Sequence, residues 1–182
     1  MPLLKLGPEK TVYKGEIFTI KQRLVTHSDG KTEQYEYCER PASVSILAFN
    51  TKGELLMIKE RRRGFKHNVW FLPGGRVDAT DKNPRQAAQR EFREETGFRA
   101  KKLKLLHKKT PSNTLLWDIY IYLAKDLVMD PLSKDPGEEI ETIFVPFSKA
   151  VQMAKDGTID NEFISYNILR LDYLKKHKKI NW

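Results

Sequence analysis

The chain has 182 residues, which is enough for one domain of ordinary size with a substantial hydrophobic core. Hydrophobic residues make up 40% and charged residues 31% of it, a composition that indicates a globular protein and excludes a disordered one. The net charge of +9 favours anionic partners in general through electrostatic steering, but it does not identify nucleic acid, which we do not expect as a partner.

The apolar runs of the sequence are short. None approaches the length of a membrane span, so we expect no membrane association. Met1 to Lys10 lacks the apolar region of a signal peptide, and the cytoplasm is the expected location. The single cysteine, Cys38, excludes an internal disulfide and a thiolate zinc cluster, and we interpret it as a half-buried strand residue.

Residues 11–40 predict a small antiparallel β unit. Thr11 to Arg23 alternates and is rich in residues that favour strands. Ser28-Asp29-Gly30 supplies a turn, and Thr32 to Glu39 forms the return strand.

Two apolar strands and a basic run follow. Ala42 to Phe49 and Leu55 to Lys59 predict a hairpin, which we place at the edge of the catalytic domain. Three arginines come next, and they are Arg61, Arg62 and Arg63. Successive side chains of an extended chain point to opposite sides, so one or two of them can meet phosphate while the others face solvent. A basic surface turn is an equal alternative for each arginine.

A highly charged helix is predicted from Pro84 to Thr96. Asn83 is a good N-cap, proline suits the first helical position, and Gly97 ends the helix. The apolar residues within it are Ala87, Ala88 and Phe92. They can bury only a narrow strip, which leaves most of the helix surface charged.

Three carboxylates lie on adjoining parts of one face of this helix. Glu91, Glu94 and Glu95 stand at i, i+3 and i+4, where like charges repel by about 0.2–0.5 kcal/mol per pair. Bound cations offset that cost, and clustered carboxylates suit hard ions such as Mg²⁺ or Mn²⁺. A solvated face laced with salt bridges, such as one from Arg90 to Glu94, is the alternative that spacing alone leaves open.

The remainder of the chain predicts three strands and two helices. The strands are Lys101 to His107, Leu115 to Ala124 and Thr142 to Pro146. The helices are Phe147 to Lys155 and Asn161 to His177. We interpret two sets of aromatic residues as packing residues: Trp117, Tyr120 and Tyr122 in the strand, and Phe163, Tyr166 and Tyr173 in the last helix.

The string R-E-F-R-E-E-T-G-F, from Arg90 to Phe98, resembles the signature of the Nudix hydrolases. That signature is G-x(5)-E-x(7)-R-E-U-x-E-E-x-G-U, with U apolar, and every fixed position from Arg90 onward is matched. The preceding Leu72-Pro73-Gly74-Gly75 resembles the family's segment before its signature glycine.

The upstream half of the signature departs from the pattern. Counting back from the matched half puts the signature glycine at Arg76 and the signature glutamate at Lys82. The loop therefore holds one extra residue. Asp81 or Asp78 can partly replace the glutamate.

The resemblance implies an α+β fold, in which residues 41–182 form a Nudix α/β/α sandwich with a mixed sheet. Residues 1–40 would form a separate N-terminal antiparallel β unit. This unit, followed by Glu39-Arg40-Pro41-Ala42, resembles the ADP-ribose pyrophosphatase and nucleoside diphosphate sugar branch. In that branch the unit helps to form a homodimer and contributes to the nucleoside site.

The resemblance also implies the residues of the site. The implied metal ligands are the Gly74 carbonyl, Glu91, Glu94 and Glu95. A glutamate just before the strand at Thr142 would orient or deprotonate the attacking water; Glu138 is the first candidate and Glu139 the second. Glu94 would either bind one of the ions or tune the metal environment, which is its implied catalytic role.

The implied substrate contacts lie outside the helix. Arg40 and one of the arginines of the basic run, Arg61 or Arg63, would clamp phosphate. Pro111 and Ser112 match half of a Y-P-S-P-G-like segment that shapes the substrate pocket in the nucleotide-sugar branch.

The predicted activity is Mg²⁺-dependent hydrolysis of nucleoside diphosphate sugars, ADP-ribose foremost, with Mn²⁺ as a substitute ion. One alternative is hydrolysis of nucleoside triphosphates or of the 5′ end of RNA. Another is a non-catalytic Nudix-like module that binds nucleotides, which Lys82 and the altered loop favour.

Overall fold

A computed structural model describes residues 4–61, 64, 66–133 and 139–180. The strands are β1 Lys5–Leu6, β2 Lys10–Lys14, β3 Thr19–Thr26, β4 Thr32–Glu39, β5 Ser43–Phe49, β6 Glu54–Arg61, β7 Asn68–Phe71, β8 Phe98–Lys109, β9 Leu115–Leu116, β10 Ile119–Met129 and β11 Ile140–Pro146. The helices are α1 Pro84–Thr96, α2 Phe147–Lys155 and α3 Glu162–Lys176. These elements form two sheets, and the fold is α+β as predicted.

The N-terminal residues form the predicted antiparallel unit, with β1, β2 and β4 all pairing with β3. The predicted strand from Thr11 to Arg23 is divided in two, because the chain turns at Gly15, whose N–H donates to Phe18 O at 2.8 Å. Cys38 is partly buried in β4, as predicted.

A strand from the larger part of the chain completes this N-terminal sheet. β9 pairs in parallel with β4, Cys38 N–H donates to Thr114 O at 2.8 Å, and Arg40 N–H donates to Leu116 O at 3.2 Å. The division of the chain between residues 40 and 41 stays a prediction. These hydrogen bonds fix the position of Arg40 at the junction of the two sheets.

The main sheet has the order β11-β6-β5-β10-β8, with β7 also paired to β6. β5 and β10 are parallel and the other pairs are antiparallel, so the sheet is mixed. The predicted hairpin is present, with β5 and β6 paired antiparallel. Both are internal, because β10 covers the free side of β5 and β11 covers that of β6.

Helices cover both faces of the main sheet. Phe92, Ala87 and Ala88 of α1 form one buried cluster with Ile46 and other strand residues of one face. Residues of α2 and α3 form a second buried cluster with the opposite face. This arrangement is the predicted α/β/α sandwich.

Of the three aromatic residues predicted to pack in the last helix, Phe163 lies against the core and the two tyrosines do not. Ile164, Ile168 and Leu171 are buried, whereas Tyr166 is 46% and Tyr173 49% exposed. The branched aliphatic residues therefore form the contact with the sheet, and the phenol groups stay in water. No helix in the described ranges combines the length and apolar character needed to cross a bilayer.

Candidate active site

Helix α1 begins and ends as its sequence predicts. The Asn83 side chain accepts a hydrogen bond from Gln86 N–H at 3.0 Å, which satisfies a free donor of the first turn. Gly97 adopts φ 76°, a left-handed conformation that favours glycine, and its N–H donates to Arg93 O at 3.0 Å.

The apolar strip of α1 orients its acidic face. Phe92 is fully buried, and burying a side chain of this size contributes about 1.5–3 kcal/mol to stability. On the flank of this strip, the side chains of Glu91 and Glu94 are 15% and 21% exposed. Glu95 is buried with 6% of its surface exposed. Two of the three carboxylates are therefore half-buried and the third is buried, so none of them faces bulk water.

Arg90 links the acidic residues to one another. Its Nη1 donates to Glu91 Oε1 and to Glu94 Oε2, each at 2.9 Å. Its Nε and Nη2 bind the two oxygens of Asp81 at 3.3 and 2.9 Å, and Nη2 also donates to Arg76 O at 3.0 Å. The predicted Arg90–Glu94 pair is thus one part of a larger network that includes the loop before the helix.

The glycine loop packs directly on the carboxylates. Gly74 N–H donates to Glu95 Oε2 at 2.8 Å. A Cβ atom on Gly75 would lie 2.4 Å from the Glu91 carboxyl carbon, so only glycine allows this approach. Strand β5 uses the carbonyls of Pro73 and Gly75, which accept from Ile46 and Val44 at 2.8 Å. Gly74 lies between Pro73 and Gly75 in the chain, and its contact with the acidic face is made by its N–H.

The electrostatics of the face favour a cation. Burial raises the pKa of Glu91 to about 7, Arg90 opposes the shift, and the charges of Glu94 and Asp78 add to it. By contrast, the hydrogen bonds from Arg90 hold the pKa of Asp81 below its usual range. Negative charge on Glu91 is therefore costly until a positive charge joins it.

The donor set suits a hard divalent ion. In the described part of the chain, no group of three or more His, Cys, Asp and Glu side chains already converges in a geometry that would hold a metal. Arg90 nevertheless engages only one oxygen each of Glu91 and Glu94, which leaves their second oxygens as ligands. Carboxylate and carbonyl oxygens are the ligands that Mg²⁺ and Mn²⁺ prefer.

A cavity of about 230 Å³ opens beside the glycine loop. Its lining includes Arg40, Gly74, Gly75, Arg76, Trp117 and Asn161. The Arg40 guanidinium lies 4.2 Å from the centre of the Trp117 ring and 5.5 Å from that of Phe18. Arg40, which is predicted to bind phosphate, therefore lies beside the glycine loop that also contacts the acidic helix.

Trp117 and Arg76 line this cavity and were not anticipated as site residues. Trp117 is more than a packing residue, because it stacks on Arg40 and donates from Nε1 to Ser43 Oγ at 2.9 Å. Arg76 occupies the position at which the signature count puts a glycine. A basic residue in place of that glycine was the one sequence signal available for it.

A larger cavity, of about 580 Å³, lies elsewhere in the molecule. Its lining includes Phe49, Asn50, Lys125 and Lys175, and none of the α1 carboxylates. We therefore assign the candidate site to the smaller cavity, which adjoins the acidic face.

Glu139 and Arg61, two of the predicted site residues, lie at one end of the main sheet. Ile140 pairs with Glu60 across β11 and β6, so the exposed Glu139 and Arg61 flank this pair. Ile140 packs against the cluster that contains Phe92, which puts this end of β11 on the α1 side of the sheet. Arg61 does not line the Arg40 cavity. The predictions for Glu138 and Arg63 fall outside the described residues.

Pro111 and Ser112 lie in the turn that leads into β9. Ser112 Oγ accepts from Thr114 N–H at 3.0 Å, and this contact shapes the turn. Neither residue lines the Arg40 cavity. Their neighbours Thr110 and Leu116 line a second cavity of about 410 Å³, which Arg40 also borders. A role for Pro111 and Ser112 in substrate binding stays a prediction.

Comparison with known families identifies the class of protein. The model of the NUDIX domain matches residues 39–166. The chain therefore belongs to the NUDIX domain family. It is a hydrolase that acts on pyrophosphate bonds, and Nudix hydrolases generally use divalent metal ions.

Individual relatives support the predicted branch. The chain is 27% identical over 173 residues to the ADP-ribose pyrophosphatase of Bacillus subtilis, covering 91% of this chain and 93% of that protein. It is 26% identical over 184 residues to the methanol dehydrogenase activator of Bacillus methanolicus, covering 96% and 99% of the two chains. A solved structure of an ADP compounds hydrolase has a TM-score of 0.80 and 23% identity over 97% of each chain, which shows the shared fold.

Proposed function

We propose that this protein hydrolyses the diphosphate bond of nucleoside diphosphate sugars, with ADP-ribose as the first candidate, in a reaction that depends on Mg²⁺ and accepts Mn²⁺. The products would be a nucleoside monophosphate and a sugar phosphate. The observation that carries the proposal is the contact of the glycine loop with the half-buried carboxylates of α1, beside a cavity that contains Arg40.

The acidic face supplies the ion site. Glu91, Glu94, Glu95 and the Gly74 carbonyl would hold the ion. A bound divalent ion neutralises the diphosphate and lowers the pKa of water, which makes attack on phosphorus easier. Arg90 positions Glu91 and Glu94 through its hydrogen bonds. The Gly74 N–H positions Glu95.

The remaining residues bind the substrate phosphate and activate the attacking water. Arg40 binds a phosphate oxygen from the cavity side. Glu138 or Glu139, which precede β11 in the sequence, accepts a proton from the attacking water. The water oxygen then bonds to one phosphorus, the bond from that phosphorus to the bridging oxygen breaks, and the second phosphate leaves with the bridging oxygen.

One experiment tests the proposal against its alternatives. Pure protein is incubated with Mg²⁺ and a panel of ADP-ribose, GDP-mannose, UDP-glucose, NADH, deoxynucleoside triphosphates and capped RNA. Release of a nucleoside monophosphate from a nucleotide sugar supports the proposal, and the Glu95→Gln variant should lose about a hundredfold or more in kcat. Turnover of only the triphosphates or RNA, or of none, would refute it.

A regulatory role is a second candidate. The relative from Bacillus methanolicus is named as an activator of another enzyme, and it matches nearly the full length of this chain. Binding of nucleotides without turnover in the panel would favour this candidate.

We also propose that the protein forms a homodimer through its N-terminal sheet. Large hydrophobic residues of this unit are exposed, and they include Leu4, Leu6, Val12, Tyr13, Ile17 and Leu24. Several exposed large apolar side chains on one small unit suit burial against a second copy of the chain. Light scattering should give twice the mass of 21.3 kDa, and Leu24→Glu should yield monomers.

A further inference from the structure

The cavity beside the glycine loop carries two positive charges. Arg40 and Arg76 both line it, and none of its described lining residues is an Asp or Glu. Guanidinium groups donate hydrogen bonds and accept none, so the cavity calls for a group rich in acceptors. Phosphate is such a group, and arginine pairs with it in a planar, bidentate geometry.

Arg40 is held in this cavity without a carboxylate partner. It stacks on Trp117, and within the described ranges its guanidinium makes no ion pair. Its Nε is buried and lacks a hydrogen-bond acceptor in the same ranges. Burial, and then the nearby charge of Arg76, lowers the pKa of Arg40. An incoming anion would relieve both the burial cost and the repulsion.

Arg76 is only partly neutralised. Its Nε lies 3.5 Å from Asp78 Oδ1, and the other oxygen of Asp78 lies 3.3 Å from Arg90 Nη2. The Arg76 carbonyl accepts from Arg90 at 3.0 Å. Arg76 therefore contacts the acidic helix through its backbone and the cavity through its side chain.

We propose that Arg76 is a specificity-determining residue that binds, together with Arg40, one phosphate of the diphosphate substrate. This inference deepens the proposed function and rests on it for the identity of the substrate. Arg76 directly follows Gly75, so the loop that contacts the Glu91 carboxylate also places this arginine at the cavity.

Metal-free binding tests the inference without requiring turnover. Calorimetry in EDTA measures the Kd of ADP-ribose and of AMP, with adenosine as an uncharged probe. Because one charge-assisted contact is lost, Arg76→Ala should weaken ADP-ribose and AMP binding by about tenfold or more and leave adenosine binding unchanged. Arg76→Lys should fall between wild type and Arg76→Ala.

Arg85→Ala is the matched control. Arg85 is an exposed arginine of the first turn of α1 and does not line the cavity. The backbone contact of Arg76 with Arg90 survives a side-chain substitution, so Arg76→Ala should fold normally. In Mg²⁺, Arg76→Ala should raise KM for ADP-ribose by about tenfold with kcat nearly unchanged, whereas Arg85→Ala changes neither.

Unchanged Kd and KM in Arg76→Ala would overturn the inference. Equal weakening of adenosine and AMP would also overturn it, because it would show that Arg76 only shapes the cavity. These failures differ from a failure of the proposed function. In that case Arg76-dependent binding of AMP persists while wild-type protein hydrolyses no nucleotide sugar.

Discussion

Asp81 accepts two hydrogen bonds from Arg90, at 2.9 and 3.3 Å, and the Asp81 side chain is 3% exposed. Its position takes the place of the glutamate that the signature count puts at Lys82. Counted from Gly75, Asp81 has the G-x(5)-E spacing, so the extra residue lies between the acidic residue and Arg90. The altered loop thus keeps an acidic anchor for the arginine that holds Glu91 and Glu94.

Removing the charge of Asp81 should weaken metal binding. In Asp81→Asn, Arg90 loses its strongest partner and no longer fixes Glu91 and Glu94, so the Kd of Mn²⁺ should rise about 10–100-fold. Lys82→Gln is the matched control, since the exposed Lys82 contributes only its backbone N–H, which binds Gln86 Oε1. Mn²⁺ titration followed by electron paramagnetic resonance measures both variants. Equal loss in the two variants would contradict this role for Asp81.

Alanine substitutions at Gly74 and Gly75 should have different effects on stability and on Mn²⁺ affinity. Gly75→Ala would push the Glu91 carboxylate away, because its Cβ would lie 2.4 Å from that carboxyl carbon, and it should lower Mn²⁺ affinity with little loss of stability. Gly74 has φ +151°, and a Cβ there would lie 2.2 Å from Val44 O.

Gly74→Ala should therefore destabilise the fold by about 2–3 kcal/mol, because the clash is with backbone. Denaturant unfolding and Mn²⁺ titration of both variants check the contrast. If Gly75→Ala unfolds more easily than Gly74→Ala and retains Mn²⁺, the described contacts of the loop are wrong.

Glutamine substitutions at the two glutamates that precede β11 in the sequence should identify the base. If Glu139 accepts the proton of the attacking water, Glu139→Gln should lower kcat about a hundredfold or more and leave KM nearly unchanged. Glu138→Gln is made in parallel, and the larger fall marks the base. Wild-type kcat in both variants would exclude this loop as its source.

His107 should make stability depend on pH. Burial, and then the charge of Arg170, lowers the pKa of His107 from its ordinary value of 6.5 to about 4, and both of its ring nitrogens are buried. The unfolded chain takes up this proton below about pH 6.5 and the folded protein only near pH 4, so stability falls as pH drops through this window. Below about pH 4 the folded protein is protonated as well, so the decline in stability due to His107 is complete.

Since the ring keeps some solvent contact, we expect the loss to be about 1–2 kcal/mol. Urea unfolding of wild type, His107→Gln and the surface control His177→Gln, from pH 7 to pH 4, measures it. The decline in the free energy of unfolding should be shallower in His107→Gln alone. Parallel curves for all three proteins would show that His107 does not contribute.

Local signals predicted the acidic helix well. Asn83 and Gly97 set its ends through contacts within a few residues, and the spacing of Glu91, Glu94 and Glu95 fixed their common face. The order of the main sheet could not be predicted in the same way. The parallel pairing of β5 with β10 joins segments more than 70 residues apart, and no local pattern encodes it.

The cavity residues that were missed depend on that long-range pairing. Trp117 reaches Arg40 only because the start of β10 lies beside β5 and β9 lies beside β4. Tyr166 and Tyr173 of α3 were wrongly predicted to pack because they have helical spacing and large rings, whereas Phe163 packs as predicted. The tyrosine hydroxyl groups remain in water, and Ile164, Ile168 and Leu171 take the buried positions.

The position of a bound ion tests the central claim most directly. Crystals of the protein with Mn²⁺ and a non-hydrolysable ADP-ribose analogue would be measured at a wavelength that gives an anomalous signal from manganese. We predict anomalous peaks within about 2.0–2.4 Å of the carboxylates of Glu91 and Glu95, with diphosphate oxygens completing the coordination. Manganese bound elsewhere, with these carboxylates contacting only protein and solvent, would contradict the account.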